Sequence, residues 1–244
     1  MQMPTVLITG ANRGIGFEFA RQYLADGWQV YAACRDPTSA SELRQLAEDS
    51  GERLRILAMD VTDARSVKAA AELAGEPIDL LLNNAGVGGA RNQTIGSIDY
   101  DAWAKVLDVN TMGPLRVSEA FVEHVAQSDR KLIVTLTSGM GSIADNTSGG
   151  SIAYRSSKAA VTRAPAQNRT SGAVRADRAD TRGNRSLHGA VRKETRRFPV
   201  RQPSEWFALQ YARLLASWTA SVGLDPRIFG TRSLRRTKAA LPDR

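Results

Sequence analysis

Tyr154 and Lys158, one helical turn apart, are the pair in this chain whose types and spacing suit acid–base chemistry. Residues at i and i+4 share a helix face. A lysine ammonium beside a phenol favours the phenolate, so a group with an ordinary pKa of about 10 can exchange protons nearer neutrality. The spacing alone also describes many surface pairs, and the chemistry needs partners. Ser138 offers a hydroxyl at the end of an apolar run. Asn110 lies four residues before Pro114, which has no N–H to bond the Asn110 carbonyl. A carbonyl freed in this way can hold a water; a simple kink relieved by solvent accounts for the same residues.

These residues need elements to carry them, and the chain supplies strands alternating with helices. Thr5–Thr9 is a short apolar run ending in Gly10-Ala-Asn12-Arg13-Gly14-Ile15-Gly16, after which Phe17, Phe19, Ala20, Tyr23 and Leu24 recur at helical spacing. The pattern predicts a buried strand, a tight glycine turn and an amphipathic helix. In that context the glycines allow close backbone approach, and the helix N-terminus offers free N–H groups to a phosphate, which points to a dinucleotide.

Further strands are expected at Trp28–Cys34, Leu54–Met59, Pro77–Leu82 and Lys131–Leu136. Helices are expected over about 39–49, from a cap at Thr62 or Asp63 to about 74, over about 99–127, and from near Ile152. Five strands separated by helices predict an α/β fold, a Rossmann-like doubly wound parallel sheet. Asn83-Asn-Ala85-Gly86 and Ser138 then fall at carboxyl ends of strands, where such sheets bind ligands. The second strand ends at Cys34 and is followed by Arg35, with Arg13 in the glycine turn. Arginines in place of an acid favour NADP over NAD, whereas a shift of one residue would bring Asp36 to the acid position and favour NAD.

The 244 residues, 42% hydrophobic, suit one globular domain with a substantial core. No run of 18 apolar residues occurs, and no N-terminal signal is expected, which argues against a membrane role. Cys34 is the only cysteine, so no internal disulfide forms and a cytoplasmic location is expected. Two histidines, His124 and His188, suggest no metal site. The net charge of +8 is unevenly spread. Residues 1–162 hold 15 Lys+Arg against 19 Asp+Glu, and residues 163–244 hold 18 against 6.

Taken together, Thr9-Gly-Ala-Asn-Arg-Gly-Ile-Gly16, Asp60-Val61, Asn83-Asn-Ala-Gly86, Asn110, Ser138 and Tyr154-x-x-x-Lys158 resemble the short-chain dehydrogenase/reductase family. Within it the resemblance is to the small carbonyl-reductase-like members of the C-factor and sniffer type. It covers about residues 1–162. It implies a carbonyl–alcohol oxidoreductase using NADP, in which Asp60 and Val61 flank the adenine and Asn83 to Gly86 support the central strand and cofactor. It implies that Ser138 polarises the substrate carbonyl and that Tyr154 protonates its oxygen. Lys158 would bind the nicotinamide ribose and lower the tyrosine pKa, and Asn110 would hold a relay water. The chemistry agrees, because hydride delivery builds negative charge on oxygen and calls for donors and a proton source there. Ser142 also lies near the family interval from Tyr154; Ser138 is preferred because it directly ends the strand. Members usually pair as homo-oligomers through two long helices.

After Thr162 the family pattern stops. Pro165 is expected to break the helix, and no Pro-Gly turn follows. From Arg163 to Val200 the strongly apolar residues are Val174, Leu187, Val191, Phe198 and Val200 against nine arginines, so no buried strand is drawn and disorder or loose packing is expected. One helix is expected over about 204–222, then a basic tail. The organisation expected is thus a cofactor-binding core, 1–162, and an atypical Arg-rich region, 163–244. That region can be read as a divergent substrate segment, as a basic binding segment, or, our preference, as translation in a shifted frame, which predicts an apolar helix and a Pro-Gly turn in another frame of the gene. The arginines lack interleaved aromatics, which argues against nucleic acid. A catalytically impaired, cofactor-binding pseudo-enzyme is the alternative to an active enzyme.

Overall fold

Thr5–Thr9 (β1) is buried at every residue, as expected of a central strand covered on both faces. The computed structural model of the chain describes residues 3–90, 93–144, 146, 147, 149–163 and 175–179, the last five and Arg163 as backbone only. Around β1 run Gly14–Ala25 (α1), Gln29–Cys34 (β2), Ser41–Ser50 (α2), Leu54–Ala58 (β3), Ala64–Leu73 (α3) and Leu80–Asn83 (β4). Tyr100–Leu107 (α4), Gly113–Ala126 (α5), Leu132–Leu136 (β5), Ile152–Arg163 (α6) and Arg175–Ala179 (β6) complete the order. The strands form one parallel sheet in the order β3-β2-β1-β4-β5-β6.

Period-2 alternation divides the apolar residues between two layers. Val6, Ile8, Val30, Ala32, Leu80 and Leu82 meet Phe19, Ala20, Tyr23 and Leu24 of α1 and Leu43 of α2 on one face. Leu7, Tyr31, Ala33 and Leu81 meet Val67 and Ala70 of α3 and Val117, Phe121 and Val125 of α5 on the other. Full burial of each such large side chain contributes about 1.5–3 kcal/mol, so the central strands anchor both layers. Because β2 lies on one side of β1 and β4 on the other, the loops after β1 and β4 diverge and open a crevice at their carboxyl ends.

Asp63 caps α3 by accepting from Arg65 N, and Asp99 caps α4 by accepting from Ala102 N. The helix expected over 99–127 runs without a break from Tyr100 to Ala126, and the interruption expected within it is a wider turn, Asp108–Met112, between α4 and α5, closed by Gly113 N donating to Asp108 O. Pro114 follows at once, in the first turn of α5, where a missing N–H is tolerated. Asn110 sits in the wide turn.

Within residues 163–200, where disorder or loose packing and no buried strand are expected, Arg175–Ala179 pairs in parallel with β5 along its whole length. A strand at the end of a sheet is held by backbone hydrogen bonds that any non-proline sequence can make, and it needs no apolar run. The helix expected over 204–222 and the basic tail lie outside the described residues. Among the described residues no helix is long and apolar enough to cross a membrane.

Candidate functional site

The crevice is tied together first by backbone and small polar groups. Thr9 Oγ1, at the end of β1, accepts from Asn84 N at 3.0 Å and Ala85 N at 2.9 Å, while Asn84 Nδ2 donates to Thr9 O at 2.8 Å. Gly10 and Gly14 adopt φ of 67° and 58°, the left-handed region. A methyl at Gly16 would lie 2.3 Å from Gly10 O and 2.5 Å from Asn84 Nδ2, so only glycine lets α1 start this close to the sheet. Unlike α3 and α4, α1 has no side-chain cap, and its first turn holds no acid. Its N-terminal positive potential is therefore not neutralised from within the helix, as an anion site requires. Asn12, Arg13, Gly14 and Ile15 lie on this turn, facing away from full burial.

At the tip of β2, Cys34 is buried and Arg35 exposed. Asp36 Oδ1 accepts from Thr38 N at 2.9 Å and from the Thr38 hydroxyl, and Ser39 N also points to it at 3.4 Å. These bonds, the Thr38 hydroxyl foremost, hold the carboxyl below its usual range. Beyond β3, Asp60 Oδ1 accepts from Thr62 N and Oγ1, at 2.9 and 2.7 Å. Burial pushes the Asp60 carboxyl upward, but the Thr62 bonds and the charges of Arg35 and Arg116 outweigh it and the net shift is downward. Val61 is buried.

Lys158, 6% exposed, donates from Nζ to Leu136 O at 2.9 Å. Burial lowers its pKa to about 8. Its ammonium stands 5.8 Å from the Tyr154 ring centroid. A methyl at Gly86 would lie 3.3 Å from Asn110 Oδ1 and 3.7 Å from Lys158 Nζ, so the loop after β4, the wide turn and α6 converge there. Asn110, 1% exposed, gives its amide hydrogens to Val87 O at 2.9 Å and Ser157 Oγ at 3.0 Å and accepts from Val87 N at 2.8 Å. Ser138, between β5 and a short turn at Gly139–Gly141, accepts from Met140 N at 3.2 Å. Asn83 donates to Ser118 Oγ at 3.1 Å, tying β4 to α5.

Thr9 and Asn84, the first residue of one motif and the second of the other, join the two central loops. Other residues that hold this arrangement lie outside the motifs. Ser157, next to Lys158 in sequence, joins α6 to Asn110. The Thr137 and Thr162 hydroxyls, 2.7 Å apart, both reach the Lys158 carbonyl, at 3.2 and 2.7 Å. A methyl at Gly141 would stand 2.7 Å from the Lys158 carbonyl carbon, so the turn after β5 packs directly on α6.

An order of strands with a crevice between β1 and β4, and a buried lysine with a tyrosine one turn away at its edge, define a dinucleotide-binding oxidoreductase type of site. A profile of the short chain dehydrogenase family matches residues 4–169, and the chain belongs to that family of oxidoreductases acting on alcohol and carbonyl groups. It is 38% identical over 162 residues, 65% of this chain and 67% of the relative, to 1-hydroxy-2-glutathionyl-2-methyl-3-butene dehydrogenase of Rhodococcus sp. (strain AD45). The NADPH-bound carbonyl reductase from chicken fatty liver is similar in structure, with a TM-score of 0.66 at 34% identity, covering 74% of this chain and 80% of that one. The carbonyl reductase Sniffer of Caenorhabditis elegans gives a TM-score of 0.65 at 29% identity over 74% and 85% of the two chains. The chain spans about half to two thirds of the length of several curated relatives, 67%, 54% and 51% in three of them.

Proposed function

We propose that this chain interconverts a small-molecule carbonyl and alcohol with NADP as cofactor. The observation that carries the reading is the convergence of Gly86, Asn110 and Lys158, with Tyr154 one turn from the lysine, at the carboxyl edge of the sheet. The uncapped start of α1 and the Gly10–Gly16 turn fit a pyrophosphate. When bound, the cofactor supplies or accepts the hydride. Lys158 would hold the ribose side, its ammonium 5.8 Å from the Tyr154 ring centroid. Tyr154 gives or takes the proton at the substrate oxygen, and Ser138 donates a hydrogen bond to that oxygen as it becomes negative. The side-chain bonds of Asn110 keep the wide turn against α6, and its carbonyl is the place for a relay water.

NADP is favoured over NAD by what Asp36 does. Its carboxylate is engaged by Thr38 and Ser39, which draws it into its own loop, while Arg35 is exposed beside Asp60. Arg13 and Arg35 then supply charge for a 2′-phosphate. Oxidation of NADPH with a panel of aldehydes and ketones tests the reading. Turnover in the wild type with at least a thousandfold loss in Tyr154→Phe is the expected result; equal rates in both would overturn it.

A second reading, binding of cofactor without turnover, rests on the end of the family match at residue 169, ahead of the stretch where the family places its lid. It predicts NADPH binding with no oxidation across the panel.

A further inference from the structure

Arg116, whose charge helps to lower the Asp60 carboxyl, also joins two parts of the site. It lies on α5 and is about three-quarters buried, with a side-chain exposure of 24%. One guanidinium nitrogen donates to the Val61 carbonyl, and the other donates to Asp108 Oδ1 at 3.0 Å. Asp108 opens the wide turn that carries Asn110. Val61 closes the loop after β3, whose carboxylate Asp60 is engaged with Thr62. The same junction is closed by shape. A methyl at Gly113 would lie 3.0 Å from Val61 Cγ2 and 3.3 Å from Val61 Cβ, so Val61 rests directly on the start of α5.

Asp60 N donates to Ser66 Oγ at 2.9 Å and Asp63 N to Asp60 O at 3.1 Å, within the loop and α3, and at the start of the loop Met59 N donates to Cys34 O of β2 at 2.8 Å. The Arg116 and Gly113 contacts connect the loop to α5. A planar guanidinium with two ends occupied is a rigid strut, unlike the flexible single donor of a lysine.

Resting on the cofactor reading above, we propose that Arg116 is a positioning residue for the adenosine half of the cofactor: held by Asp108, it fixes the Asp60–Val61 loop against α5 where the adenine would lie. The loop backbone then meets the base already ordered, and less ordering is needed on binding. Disconnecting the strut frees the loop and weakens the adenosine half alone.

The test is calorimetric titration of the full chain with 2′,5′-ADP, which carries the adenosine and 2′-phosphate without the nicotinamide. Arg116→Met is expected to bind it about tenfold more weakly than wild type, with Arg116→Lys recovering part of the loss and Asp108→Asn losing about threefold. The KM for NADPH should rise by the same factors at unchanged kcat, a split that general loosening of the fold would not give. A folded Arg116→Met that binds 2′,5′-ADP within twofold of wild type overturns the proposal. If Arg116→Met does not fold, Asp108→Asn and Arg116→Lys decide it, and wild-type affinity in both overturns it. A wild-type chain that binds neither 2′,5′-ADP nor NADPH is a different failure: it removes the cofactor reading itself, and this inference with it.

Discussion

Lys158 shows what burial does to a charged group whose partner is a carbonyl. Its pKa falls from 10.5 to about 8, a cost to the folded state at pH 7 of about 3 kcal/mol at 1.36 kcal/mol per unit. Between pH 8 and 10.5 the unfolded chain binds more protons at this residue than the native one, so stability rises with pH there. Urea unfolding of wild type and Lys158→Met from pH 7 to 10.5 should therefore show the wild type gaining on the variant by up to about 3 kcal/mol; a constant difference would contradict the burial account. Arg35 permits a separate check. Arg35→Ala should raise the KM for NADPH roughly tenfold, the worth of one charge-assisted hydrogen bond, and leave that for NADH nearly unchanged. Both cofactors losing equally would mean that Arg35 does not read the 2′-phosphate.

The first helix and its turn illustrate how closely backbone elements are set. Gly14 and Gly16 serve the turn in different ways: a methyl at Gly14 meets nothing within 4 Å, whereas one at Gly16 meets the Gly10 carbonyl oxygen at 2.3 Å. Neither the oxygen nor the helix can retreat without moving β1. Gly16→Ala should cost about 1–3 kcal/mol or more by overpacking and also weaken NADPH binding, as urea unfolding and fluorescence titration would reveal. Gly14→Ala is strained by its φ of 58° and should cost only about 1–2 kcal/mol. The wide turn at Asp108–Met112 makes a related point. Pro114 marked the interruption in the sequence, but the turn's shape follows from which donors remain, and these are set by the packing of α4 and α5.

For the chain as a whole, the sheet continues past the core expected at residues 1–162. Residues 175–179 pair with Leu132–Leu136, so β5 is an interior strand. A chain ended after residue 163 would expose that backbone edge, and an unpaired parallel edge promotes association. Light scattering should show it aggregating at concentrations where a chain ended after residue 182 stays dispersed; equal behaviour would mean that the pairing contributes little.

The parts legible beforehand were those fixed by local rules. Apolar runs of five residues had to be buried strands, glycines at Gly10, Gly14 and Gly16 had to be a turn, and a tyrosine four residues before a lysine had to share a helix face. The doubly wound parallel sheet, the family and a ligand site at the carboxyl ends of the strands followed from these. What the sequence could not set were relations between residues far apart in the chain. Thr9 with Asn84 and Asn110 with Ser157 are geometric choices, made by short polar side chains that could bond several partners. The strand at Arg175–Ala179 was hidden for the complementary reason, since backbone hydrogen bonds carry no side-chain signature. Residue type determined which groups were available for acid–base work. Only tertiary packing decided that Lys158 is buried enough to titrate near pH 8, because desolvation depends on what surrounds a group in space and not along the chain.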